Sequence, residues 1–462
     1  MRDAAARIAP VAVLVGALAA LTWWIVARIG VVQRADQPAW LIAEGGCWLL
    51  FAAAAVLLRA APRRAVPALV LGGALVVGLG ALAGPPTTST DSARYAWDGI
   101  VQDAGISPYR YVPADPALAP LRTDWLFPPG HLSPTGALHC PGPATAPTRQ
   151  VGVPGRICTA INRPLVPTIY PPVAEAAFAA VRLLVPPSVA FAPMQVLGLV
   201  VVLATSGLLL LGLRLTGRDP RRAAWFAWCP LVASGAVTNA HIDGLATLGA
   251  LAGTLLVVRG RPIRGGIVLG LAIATKVLPV LVVPPLLKRS PVRILAAAVA
   301  TVAAVYLPHI ALSGGRVLGY LPGYLNEEGY DNGTRSALVS IVAPGPAATP
   351  VAALLLLAVA VVVLLRTDPA DPWGGQVVVI GAALLLASPH YSWYALLLVP
   401  FVAMSGRWEW FALPLVLIEG QLGLPLGPFR AELAAVLVLV VGAALIRRSR
   451  RRTARGVLSP VP

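Results

Sequence analysis

The run IAPVAVLVGALAALTWWIVA, residues 8–27, decides the fold. It carries no charge, and a helix rising about 1.5 Å per residue needs roughly 20 apolar residues to cross the hydrocarbon of a bilayer. VAALLLLAVAVVVLL at 351–365 repeats the signal far downstream, so neither a signal peptide nor a single anchor accounts for it. These runs lack the polar and apolar alternation of a barrel strand, which leaves helices as the spanning element. Composition agrees: 57% of 462 residues are hydrophobic and 12% charged, with a mean hydropathy of +0.77, outside the range of water-soluble domains. The reading is an all-α polytopic membrane protein with about 12 to 14 transmembrane segments.

Charge sets the orientation. The net +17 suggests nucleic acid, but the basic residues border apolar runs: Arg2 and Arg7; Arg59, Arg63 and Arg64; Arg214, Arg218, Arg221 and Arg222; Arg259, Arg261 and Arg264; Lys288, Arg289 and Arg293; and RRSRRRTAR at 447–455. That is the positive-inside pattern, and without stacking aromatics it excludes a nucleic-acid partner. The polar stretches 85–170 and 313–340 together hold eight basic and eight acidic residues and are assigned outside. The division that follows is N-terminal membrane helices at 1–84, an extracytoplasmic loop and interfacial helix at 85–188, a membrane bundle at 189–446 with outer loop 313–340, and a basic cytoplasmic tail at 447–462. The chain is thus expected in the plasma membrane, among membrane lipids, with both termini cytoplasmic.

Expected spans lie near 8–32, 39–58, 66–84, 189–213, 223–238, 243–259, 292–312, 349–366, 374–388, 394–406, 409–425 and 431–446. YPPVAEAAFAAVRLLVPP from Tyr170 is short and holds Glu175 and Arg182, which predicts an amphipathic helix lying at the interface. Residues 265–287, interrupted by Thr275 and Lys276, read as two half-length helices meeting at the outer face. With 45 prolines, such interruptions imply broken helices around a cavity open to the outside. Cys140 and Cys158 flank a Pro/Gly-rich part of the outer loop, an oxidising location, and are expected to form a disulfide. Cys47 and Cys229 lie in apolar runs and read as packing residues.

Four polar clusters fall at the outer ends of spans. In TDSARYAWDG, 90–99, Asp91 follows the apolar run; partial desolvation there would raise its pKa and suit it to take a proton. Asp98 competes for that role, and Asp91 could equally cap the following helix. TNAHIDGLA, 238–246, places Asn239, His241 and Asp243 in one turn, as helix caps or as site residues, with too few ligands for a metal. Lys276, one of two lysines, sits amid apolar sequence, where an anionic partner competes with snorkelling as its explanation. GYLNEEGYDNGTRSALV, 323–339, and ASPHYSWYALLLVP, 387–400, supply Arg335, His390 and Tyr391; Tyr391, Trp393 and Tyr394 also fit an interfacial aromatic belt. A carboxylate base with Lys, Arg and His on one face suits displacement of a phosphate leaving group. With no GxGxxG or Walker loop, a sugar carried on a lipid phosphate is the natural substrate there.

DSARYAWDGIVQDAGISPYRYVPADPALAPLR, INRPLVPTIYPPVAE, NAHIDGLA, the Lys276 region, GYLNEEGYDNGTRSALV and SPHYSWYALLLVP, in that order over roughly 85–405, resemble actinobacterial GT-C glycosyltransferases. The kind resembled is the polyprenol-phosphate-mannose-dependent one, relatives of the phosphatidylinositol mannoside and lipomannan α-mannosyltransferases. The resemblance implies a GT-C-type bundle whose large first outer loop is catalytic, and a metal-independent inverting transfer with no cofactor. It implies Asp91 as general base, Lys276 and His390 with Arg335 at the donor phosphate, and Arg94, Asp98, Asn239, His241, Asp243 and Tyr391 around sugar and acceptor. The donor would be a polyprenyl-phosphate sugar and the acceptor a lipid or glycan. The extra helices before the loop depart from the minimal arrangement. An arabinofuranosyltransferase of the same superfamily and a lipid-linked-sugar flippase are the competing readings.

Overall fold

The computed structural model describes residues 2–333, 335–422 and 425–457, so the end of the expected tail, 458–462, and Thr334 within 323–339 lie outside the described residues. Among the described residues, sixteen α-helices follow in chain order: α1 (Arg2–Trp24), α2 (Gln37–Leu57), α3 (Val66–Ala81), α4 (Asp91–Asp103), α5 (Pro172–Arg182), α6 (Ala192–Leu215), α7 (Ala224–Ala227), α8 (Asp243–Val258), α9 (Pro262–Ile273), α10 (Pro291–Ser313), α11 (Leu321–Glu327), α12 (Ala348–Arg366), α13 (Trp373–Ala387), α14 (Leu398–Ser405), α15 (Ala412–Gln421) and α16 (Leu426–Val457). Between α4 and α5 lie two antiparallel ribbons. β1 (His131–Leu132) pairs with β2 (Leu138–His139), and β3 (Ala146–Arg149) with β4 (Arg156–Thr159) in the register Ala146 to Thr159.

Among the described residues, seven helical segments are long and apolar enough to cross a membrane: those at Ala5–Ile29, Arg34–Ala60, Arg63–Ala81, Ala192–Leu215, Pro291–Glu327, Gly345–Arg366 and Leu426–Arg450. The chain is a multi-pass membrane protein. Apolar side chains such as Leu354, Leu357 and Leu365 on α12, and Val292 and Val299 on α10, are exposed, which only a lipid solvent makes favourable. The other expected crossings are shorter or broken. Residues 223–238 form the single turn α7 and a π-helical stretch, Val232–Thr238, which meets α8 at 113°. α9 stops at Ile273 and continues past Thr275 and Lys276 as 3₁₀ turns at Leu278–Val282 and Pro284–Leu286, so the second half of 265–287 is no α-helix. Many prolines do not break helices at all. Those in the first turns of α2, α3, α6, α9 and α10 start them, because a first-turn residue needs no backbone donor and proline's φ is already helical.

Polar bonds show which loops share an end of the bundle. Arg221 Nε donates to the Leu58 carbonyl at 3.0 Å, Arg218 pairs with Asp371 at 2.7 Å, and Lys288 reaches the Leu365 carbonyl at 3.1 Å. The basic turns are therefore gathered at one end. At the other, Asn239 binds the 85–90 linker, Gln195 Nε2 donates to the Gly84 carbonyl, and Arg163 pairs with Glu327.

The loop segment has its own core of Trp97, Ile100, Val101, Leu118, Leu126 and Ile161. α5, the helix expected at the interface, packs on α4, with Glu175 and Arg182 buried and Arg182 donating to the Pro186 and Val189 carbonyls at 2.8 Å. Gly99 permits this contact, since a Cβ there would stand 2.6 Å from the Phe178 carbonyl oxygen. Cys140 and Cys158 are joined, tying β2 to β4.

Candidate active site

A cavity of about 1030 Å³ opens between the loop segment, the Lys276 break, the α10–α11 region and the turn after α13. Asp91, Arg94, Asn162, Arg163, Tyr170, Lys276, Tyr324, Tyr391, Trp393 and Tyr394 line it.

Asp91 begins α4, its N–H accepted by Ser89 Oγ at 3.2 Å. Two groups face its carboxylate: Asn162 Nδ2 donates to Oδ1 at 2.5 Å, and His241 Nδ1 lies 3.5 Å from Oδ2. His241 is fixed from behind, its ring stacked 3.8 Å from Trp393, which in turn stacks on Tyr391. The sequence reading expected a raised pKa here, and the structure reverses it. Burial does push the carboxyl up, but His241, Asn162 and the charge of Lys276 outweigh it and bring Asp91 down to about 2. Desolvation was legible from position along the chain; the three compensating neighbours come from other segments and were not.

Lys276 stands at the break after α9, where the backbone leaves the helix. Its Nζ donates to Asp243 Oδ2 at 2.8 Å and sits 4.8 Å over the Tyr394 ring. Asp243 is thus the anionic partner that Lys276 requires. A hydrogen bond of 2.7 Å joins the phenols of Tyr394 and Tyr324, and the Arg163 guanidinium covers the Tyr324 ring at 5.3 Å. Two cations and two linked phenols therefore form one continuous wall.

Of the remaining candidates, Arg94 reaches the cavity wall and the others serve from behind. Arg94 Nε contacts both Asp98 oxygens at 2.9 Å and Nη1 donates to the Val166 carbonyl. Thr168 Oγ1 donates to Glu175 at 2.7 Å, and Gln102 Nε2 to the same carboxyl at 2.9 Å. Asp98 and Glu175 are both buried beside a single guanidinium: desolvation raises both carboxyls, repulsion from Asp98 adds to it at Glu175, which stands well above the usual range, while Arg94 and hydrogen bonds from Thr168 and Glu175 pull Asp98 part of the way back. Asn239 is occupied structurally: Oδ1 accepts from the Thr87 and Thr88 N–H groups at 3.0 and 3.1 Å, while Nδ2 donates to Thr88 Oγ1 and the Ser234 carbonyl. It straps the linker that delivers Asp91. Arg335 is buried and held by Glu328, and His390 is exposed on the turn after α13; neither lines the cavity.

Sequence reasoning missed Asn162, Arg163, Tyr324 and Glu175. Asn162 and Arg163 sit in an irregular loop with no periodicity to flag them, and Arg163 holds a left-handed φ of 49°. Among the described residues, the other non-glycine positions of positive φ are Ala240, beside His241, and Ser388, two residues before His390. Strain of this kind persists where the surroundings over-determine the backbone. Among the described residues no group of three or more His, Cys, Asp or Glu is placed to hold a metal ion.

Residues 168–389 match the model of glycosyltransferase family 87, just under half of the chain. The match spans Asn239, His241, Asp243, Lys276 and Arg335, begins after Asp91 and ends one residue before His390. No curated protein and no solved structure matches.

Proposed function

We propose that this chain, whose 168–389 segment is a glycosyltransferase family 87 domain of the GT-C superfamily, transfers a sugar, mannose in the first instance, from a polyprenyl phosphate to a lipid or glycan hydroxyl. The reaction would run at the extracytoplasmic face. The observation that carries the reading is an ionised carboxylate, Asp91, in the wall of the same cavity as Lys276.

The acceptor hydroxyl oxygen attacks the anomeric carbon from the face opposite the phosphate. The bond from that carbon to the phosphate oxygen breaks, its electron pair stays on the phosphate, and the hydroxyl proton passes to Asp91. A β-linked donor thus gives an α-linked product. A carboxylate held near 2 is a weak ground-state base, so proton transfer lags bond cleavage and completes as the hydroxyl turns acidic in the transition state. Its negative charge meanwhile stabilises positive charge growing at the anomeric carbon, and Lys276 that on the departing phosphate. Asn162 and His241 orient the carboxylate; Arg94 and Tyr391 bound the sugar. Arg335 and His390, set back from the cavity, act through Glu328 rather than on the phosphate directly.

The test is incubation of purified protein with synthetic polyprenyl-phosphate mannose and candidate acceptors, followed by mass and linkage analysis. An α-mannoside with release of polyprenyl phosphate supports the proposal. Movement of labelled lipid across vesicles without glycoside would favour transport, and product only from the arabinofuranosyl donor would reassign the sugar.

A further inference from the structure

Two cations face the cavity on the phenol wall, and they are not equally available. Lys276 is paired with Asp243, whose side chain is 6% exposed and packed in place. Arg163 is shared between Glu327 at 2.7 Å and Glu328 at 3.3 Å. Glu328 is 6% exposed and is also held by Arg335, so it cannot leave without stranding a buried arginine. Glu327 is different: its side chain is 42% exposed and, among the described residues, its one ion pair is with Arg163. An exposed pair of this kind contributes little, whereas a guanidinium binds phosphate oxygens through a planar fork that a point charge lacks.

We propose that Arg163 is a seat for the phosphate of the lipid-linked substrate, with Glu327 as its resting counter-ion, displaced when phosphate arrives. The inference rests on the polyprenyl-phosphate reading above and adds to it a binding residue and a carboxylate-for-phosphate exchange. The geometry supports it from three sides. The left-handed backbone at Arg163 aims the guanidinium across the cavity mouth onto Tyr324. The Tyr324 and Tyr394 hydroxyls lie between it and Lys276, as donors for the remaining phosphate oxygens. Val317, Leu318, Leu321 and Leu325 line the same cavity and offer an apolar bed to a prenyl chain. The exchange removes one of the two ion pairs between Arg163 and the C-terminal end of α11, and Glu328 keeps the other.

Binding of a short-chain polyprenyl monophosphate in detergent, measured against the polyprenol of equal length, tests this without any sugar transfer. Glu327→Gln should tighten the phosphate by about two- to fivefold, the fold-change equivalent of a surface ion pair. Arg163→Gln should weaken it tenfold or more, and Arg163→Lys should restore only part. Adding Glu327→Gln to Arg163→Gln should change nothing, and the alcohol should be indifferent to all of them. A Glu327→Gln protein with unchanged or weaker affinity would overturn the proposal. So would a gain that persists in the Arg163→Gln background, or wild-type affinity in Arg163→Gln. Thermal unfolding midpoints identify variants that fail to fold, for which Arg163→Lys supplies the comparison. Transfer activity alongside a flat cycle sinks only the seat; a positive cycle without transfer sinks only the glycosyltransferase reading.

Discussion

Replacing His241 by phenylalanine keeps an aromatic ring on Trp393 while deleting the imidazole nitrogen that stands 3.5 Å from Asp91. The carboxyl is held at about 2 against an ordinary 3.8, which corresponds to roughly 2–3 kcal/mol in favour of the ionised form at about 1.4 kcal/mol per pH unit. Burial acts in the opposite direction and survives the substitution, with only Asn162 and Lys276 left to oppose it, so Asp91 in His241→Phe should titrate well above its wild-type position. The sign follows. In the wild type the lowered pKa keeps Asp91 ionised throughout pH 4–8, and its contribution to stability is complete above 3.8 and lost only as pH falls towards 2. In the variant the acid limb of kcat/KM should enter the assay window and climb through pH 4–6, with the alkaline side little changed. Profiles that superimpose over pH 4–8, in a variant whose melting temperature matches wild type, would refute the claim that His241 sets the protonation of Asp91.

Three further outcomes follow from the geometry. Lys276→Met should lower the thermal midpoint in detergent by more than Lys276→Met combined with Asp243→Asn, because the single change leaves a buried carboxylate unpaired; equal midpoints would show that the pair is not coupled. Cys140→Ser should loosen the ribbons, since a disulfide of sequence separation 18 contributes about 3 kcal/mol in the chain-entropy model; limited proteolysis should then cut within 130–160 while the membrane helices stay intact. Single cysteines at the exposed positions His131 and Arg261 should react with an impermeant maleimide from opposite sides of the membrane, and labelling of both from one side would contradict the shared-end arrangement of the loops.

How much of this was legible follows from the physics each feature depends on. Spans and their polarity are local properties of composition, so α1 and α12 and the gathering of basic turns at one end could be read directly. Asp91 was legible because it ends an apolar run and opens a patterned loop. Lys276 was legible because an ammonium among apolar residues demands a partner, although the partner, Asp243, could be named only as a neighbour in another cluster. The direction of the Asp91 pKa was read the wrong way, because desolvation is visible along the chain and the answering groups, Asn162 and His241, come from 71 and 150 residues further on. Arg163 and its switch of counter-ion depend on a left-handed backbone and on which of two adjacent glutamates is buried, and neither leaves a mark in sequence. Helix count fared worst where segments are short: the stretch from 223 to 258 is apolar throughout most of its length, yet it breaks sharply at Asn239–His241 because a polar turn there is paid by contacts to the 85–90 linker.

The most direct test of the central claim is single-turnover transfer from polyprenyl-phosphate mannose by Asp91→Asn, with donor binding measured on the same preparation. Donor affinity should stay at the wild-type level while product formation falls a hundredfold or more, the usual range for a general base. Product formed at near wild-type rate by that variant would contradict it.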